Sequence, residues 1–146
     1  MGSDQVRAMP SGPVPAPLAD APHLRLPPEP ASVAKARAFL AEHCPYDGET
    51  RETAELLVSE LATNVVLHAR TQMVVAVAAG NGRVVLAVTD GSDQLPAGPT
   101  RPDAAATDQQ AESGRGLVLL RQLATEWGVA AHANGKTVWC LVAVAS

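Results

Sequence analysis

Residues 53–69 read TAELLVSELATNVVLHA, and their spacing predicts a long amphipathic helix over about residues 49–69. At roughly 100° per residue, Ala54, Leu57, Val58, Leu61 and Val65 form a broad apolar arc, which Leu56 and Leu67 extend beyond Glu60. Glu52, Glu55 and Ser59 fall on the opposite, solvated side. Glu60 and Asn64 do not join them. They project from within the apolar arc, one turn apart and stacked.

The same reading places a second helix over residues 31–43, with Val33, Ala36, Phe39 and Leu40 as its stripe, ended by Cys44-Pro45. His23–Leu26 is a short edge strand. Two β-rich runs, residues 72–79 and 84–90, are joined at Gly80-Asn81-Gly82. Asn134-Gly135 joins a second pair, residues 129–133 and 137–144; Asn-Gly tolerates the positive φ of tight hairpins. Between the hairpins, residues 114–126 predict a third helix packing Leu117, Val118, Leu120 and Leu123, with Arg121 and Gln122 on its polar side. The order β-α-α-β-β-loop-α-β-β predicts an α+β fold: a two-layer α/β sandwich with a mixed, mostly antiparallel sheet and three helices on one face. No internal repeat is visible.

The segments outside this pattern set the domain limits. Residues 1–22 carry five prolines among small residues and read as a disordered, extended arm, leaving residues 23–146 as the folded domain. Residues 91–113 have little periodicity and three prolines. A connection of that length is expected to be a functional lid or disordered.

Composition narrows the function classes. In 146 residues, 47% are apolar, with one Phe, one Tyr and two Trp, so packing is aliphatic and the stacking platforms of single-stranded nucleic-acid binders are missing. A formal net charge of −4 offers no basic footprint for DNA or RNA. No apolar run approaches the ~20 residues of a membrane span, and the N-terminus lacks the order of a signal peptide. Cys44 and Cys140 lack metal or redox spacing and are expected as free thiols. A soluble, cytoplasmic domain is expected.

A carboxylate and an amide on an apolar arc need a partner. They could bond each other or cap a loop, or they could hold a metal ion or an activated water. Three other features bear on the choice. Val88-Thr89-Asp90-Gly91-Ser92 ends a strand in a carboxylate, either as an Asx-type turn or as an acceptor for a purine amine. Glu112-Ser113-Gly114-Arg115-Gly116-Leu117 opens a helix with two glycines, where backbone N–H groups and the helix dipole favour phosphate. In Gly135-Lys136-Thr137-Val138-Trp139 the strand sets Thr137 toward the same site, while Lys136 reads as a solvated turn residue.

Together these segments resemble the histidine-kinase-like ATPase domains of actinobacterial regulators, relatives of the anti-sigma-factor serine kinases in the GHKL superfamily. LLVSELATNVVLHA resembles the N box, VTDGSDQLP the first glycine box, ESGRGLVLLRQLATEWGV the second and GKTVW the final strand, so the likeness spans about residues 24–144. It implies a Bergerat-type sandwich binding ATP with Mg²⁺. Asn64 would ligate the metal, Glu60 would orient or deprotonate the attacking nucleophile, and Asp90 would read the adenine amino group, with Ser92 beside it. Gly114, Arg115, Gly116 and Leu117 would line the phosphates with Thr137 nearby, and the segment at 91–113 would be the ATP lid. His68 belongs to the N-box motif, although a packed core histidine is an equal reading.

Two departures stand out. Ser92, Asp93 and Gln94 occupy places where many members carry glycines. Glu112 stands where the anti-sigma kinases have an arginine acting on the γ-phosphate, and a carboxylate there repels polyphosphate unless it points away. The leading expectation is an ATP-dependent serine/threonine kinase of a partner-switching system, acting on an anti-sigma-factor antagonist and able to sequester a sigma factor. The alternative is a catalytically weak ATP-binding or sequestering module, and a third role is an ATPase whose lid gates a partner surface. Nucleic-acid and membrane partners are not expected; a homodimer is, by analogy with the anti-sigma kinases.

Overall fold

The computed structural model describes residues 14–92 and 118–144. Its elements are β1 (His23–Leu26), α1 (Ala31–His43), α2 (Glu49–Asn64), β2 (Met73–Gly80), β3 (Arg83–Asp90), α3 (residues 118–123), β4 (Glu126–His132) and β5 (Gly135–Ala143). The five strands form one sheet in the order β1-β2-β3-β5-β4. Every described pairing is antiparallel, in keeping with the mostly antiparallel sheet the element order predicts.

Parity along the strands sorts the two faces. Val84, Leu86 and Val88 of β3, with Val138, Cys140 and Val142 of β5, join the main core built from α1, α2 and Leu120 of α3. The three helices therefore cover one face, and the fold is the two-layer α+β arrangement expected from the element order.

The opposite face carries a smaller cluster of Val85, Ala87 and Leu141 capped by Leu18. Leu18 closes a 3₁₀ turn, Ala16–Leu18, whose geometry Pro15 and Pro17 favour. The end of the segment read as an arm is thus packed against the sheet, because its one leucine finds an apolar face otherwise uncovered. Residues 1–13 lie outside the described residues.

The connection between α1 and α2 is stapled from within. Arg51 donates from Nε to the Tyr46 carbonyl and from Nη2 to that of Cys44, each at 3.1 Å. The Tyr46 hydroxyl accepts the Gly82 N–H at 2.9 Å, tying this connection to the β2–β3 hairpin. That hairpin turns on Asn81 and Gly82, both with positive φ (54° and 77°), as the Asn-Gly signal predicts.

The second hairpin turns one residue earlier than expected. Ala133-Asn134 form the turn, and Gly135 is already in β5, opposite His132. The third helix also ends early, because Glu126 begins β4. Leu120 is fully buried, but Leu123 is exposed rather than packed.

Helix α2 and the turn after it, Val65–Ala69, correct the expected burial at three positions. Ser59 is buried and donates to the Glu55 carbonyl at 2.7 Å, whereas Leu56 and Leu67 are exposed. The helix packs against α1 as well as against β3 and β5, so its buried sector is wider than one stripe and rotated away from Leu56.

Candidate functional site

Glu60 and Asn64 lie on the last turns of α2, both half-buried. They sit at the border of the buried sector rather than inside it. Directly after Asn64 the backbone widens into a π-helical turn, Val65–Ala69, closed by the Arg70 N–H on the Val65 carbonyl at 2.7 Å. Arg70 then stops the helix with φ 57°. Such single π turns are enriched at functional sites. His68, within this turn, is exposed rather than packed in the core.

Asp90 ends β3 on the helix-covered face, flanked by Met73 of β2 and Lys136 of β5 as its register partners. The residue is 6% exposed. Its Oδ1 accepts the Ser92 N–H at 2.7 Å, an Asx-type turn that also brings half-buried Ser92 alongside. Thr71 holds the turn from the other side by accepting the Gly91 N–H at 2.8 Å.

Lys136 is not a solvated turn residue. It is buried, and its Nζ donates to Asp90 Oδ2 at 2.9 Å and Oδ1 at 3.1 Å. The signal for this was its place two residues before Val138 in the core-facing alternation of β5. Moving the turn back by one residue makes position 136 a core-facing strand position.

Thr137, by the same parity, points to the opposite face of the sheet. Its Oγ1 lies 2.7 Å from Thr89 Oγ1 and 2.8 Å from His132 Nε2, a buried hydroxyl satisfied by side chains away from the helices. Thr137 is therefore not brought together with Asp90. The structure unites Asp90, Ser92 and Lys136 at the end of β3 and β5, with Glu60 and Asn64 on the helix that packs on those two strands. Gly114, Arg115, Gly116, Leu117, Glu112 and most of the segment read as a lid lie outside the described residues.

Among the described residues no three His, Cys, Asp or Glu side chains converge as a ready-made metal cage. The Asn64 amide oxygen suits Mg²⁺, which characteristically takes few protein ligands and draws the remainder from phosphate and water. Asp90, the acid expected to read a base, fits less well, since both of its oxygens already carry a hydrogen bond. A cleft of about 370 Å³ opens elsewhere, on the helix-free face between Pro15, Pro17, Arg83 and Glu126, and touches none of these residues. No described helix is long and apolar enough to cross a membrane.

Comparison with protein families matches residues 26–141 to the histidine kinase-like ATPase domain, well over half of the chain. No curated protein matches it. A match of that extent, over a sheet and helices arranged as described, shows that the chain belongs to the histidine kinase-like ATPase domain family.

Proposed function

We propose that this protein is an ATP-dependent serine/threonine kinase of a regulatory partner-switching system. Its substrate is an antagonist of an anti-sigma factor, and it can also hold a sigma factor. Membership of the ATPase family supports an ATP-binding regulatory role. The observation that carries the step to catalysis is the pair Glu60 and Asn64, half-buried one turn apart where α2 gives way to a π turn. The amide would hold Mg²⁺, and the carboxylate would orient the incoming hydroxyl and take its proton. When bound, Mg²⁺ supplies neutralisation of the phosphate charge, the main demand of phosphoryl transfer.

The test is transfer of radiolabelled phosphate from ATP to candidate antagonists, comparing wild type with Glu60→Gln. Retained nucleotide binding with lost transfer supports the assignment; equal transfer removes Glu60 from the mechanism.

A second reading is a sequestering module that binds its partner without phosphoryl transfer. The bidentate engagement of Asp90 by Lys136 favours it, because the acid expected to read the base is already occupied. Under this reading the partner binds with the same affinity in the presence and absence of Mg-ATP.

A further inference from the structure

The Asp90–Lys136 pair occupies a place where an ion pair is hard to justify by stability alone. Its side chains are 4% and 8% exposed, and removing two charges from water offsets most of what their attraction returns. A lysine here must be held by something more than burial.

The surroundings define how it can move. Gly135 immediately precedes Lys136 and is packed so closely on the Asp90 carbonyl that no side chain fits there. Asp90 and Lys136 are register partners in the antiparallel β3–β5 pairing, with the two backbones in close approach at this point. The lysine stem, by contrast, has four rotatable carbons ending in a compact point charge. A swing of the ammonium separates the pair without disturbing the strand pairing.

While the ammonium is in place, Oδ1 carries two hydrogen bonds, from Ser92 and Lys136, and Oδ2 carries one. The carboxylate keeps almost no accessible surface for the edge of a base. From this geometry we propose that Lys136 is an internal latch on the base-reading carboxylate. Purine recognition at Asp90 requires the ammonium to leave, so with the latch closed the chain binds the polyphosphate of a nucleotide while gaining little from its base. Lys136 is then a specificity-determining residue. It makes no contact with the reacting atoms and sets how much of the ligand is read. This inference rests on the ATP-binding reading given above and adds the regulation of that site.

The test measures the contribution of the base directly, by calorimetric titration of the full chain with Mg-ATP and with Mg-tripolyphosphate. In the wild type the two affinities are expected to agree within about threefold, less than one charge-assisted hydrogen bond provides. In Lys136→Thr, which removes the ammonium and leaves a hydroxyl, Mg-ATP is expected to bind about tenfold more tightly than tripolyphosphate, as one such bond to the freed carboxylate predicts. Lys136→Arg keeps the carboxylate engaged and should leave the ratio near that of the wild type. Adding Asp90→Asn to Lys136→Thr should abolish the gain.

A wild type that already prefers Mg-ATP by tenfold overturns the latch, because the base is then read with Lys136 present. A folded Lys136→Thr with an unchanged ratio overturns it as well, as does a gain that survives Asp90→Asn. If Lys136→Thr does not fold, the wild-type ratio decides. Failure of the wild type to bind either ligand is a different result, which removes the ATP-binding reading and the latch with it.

Discussion

Gly135 and the backbone carbonyl of Asp90 are pressed together where β5 begins beside the end of β3, and a β-carbon at Gly135 would overlap that oxygen. The register there faces Asp90 with Lys136 and Thr89 with Thr137. A glycine that resembles a hairpin residue in the sequence is therefore a spacer between two strands, and the chemistry of the site depends on its missing side chain.

Gly135→Ala should destabilise the domain by about 1–3 kcal/mol, the usual range for forcing a methyl group into filled space. Its φ of 154° adds to the strain. Gly91→Ala is the control: a β-carbon there meets Thr71 at an ordinary 3.5 Å, so the change should stay within about 0.5 kcal/mol. Urea denaturation compares the two, and equal midpoints would show that the strands separate freely at this point.

Asn64→Ala should leave the fold intact, since the residue is half-buried at the end of a helix and alanine favours helix. Mg-ATP affinity should fall about tenfold or more, corresponding to one lost metal–ligand contact or its hydrogen-bonded equivalent. Affinity for the nucleotide measured in excess chelator should change little. A magnesium-independent loss would assign Asn64 to the shape of the pocket rather than to the metal.

Much of the fold was legible because it rests on local periodicity. The stripe of α1, the apolar arc of α2 and the alternation of β2 and β3 each appear within a single segment, and Asn81-Gly82 carries its own positive φ. The errors arose where a distant partner decides. Asn134-Gly135 carries the same turn signal, but Gly135 pairs with His132 as the first residue of β5. The earlier turn makes Lys136 a core-facing strand position, while Thr137, next to core-facing Val138, faces away by alternation. Ser59 and Leu56 exchanged their expected burial because α1 covers one flank of α2. Nothing in VVLHA marks a π turn or the exposure of His68. For the site, Asp90 was visible as an acid at a strand end, whereas its ammonium partner depended on register.

Trp139 lies flat over Gly128 on the helix-free face, with three indole atoms 2.8 Å from where a β-carbon would stand. Its indole N–H is buried without a hydrogen-bond acceptor among the described residues. Gly128→Ala should lift the ring, costing about 1–3 kcal/mol and shifting tryptophan emission to the red. Trp127 faces the helices and should not respond, so the Trp127→Phe background isolates the signal. An unchanged spectrum with unchanged stability would mean that the ring slides aside without loss.

The Cys140 thiol should make stability fall at alkaline pH. It is fully buried in β5 and unpaired, and burial pushes its ionisation well above the ordinary thiol range. The folded state therefore keeps this proton at a pH where the unfolded chain has lost it. Stability from the protonated thiol is complete below the unfolded pKa of about 8.5 and declines as pH rises beyond it, by about 1.4 kcal/mol per pH unit. Urea midpoints between pH 8 and 10.5 should fall more steeply for the wild type than for Cys140→Ala, whose cavity lowers stability by a pH-independent amount. In the folded protein the thiol should react with iodoacetamide only at the rate of global unfolding. Parallel slopes for the two proteins, or alkylation faster than unfolding, would place Cys140 within reach of solvent.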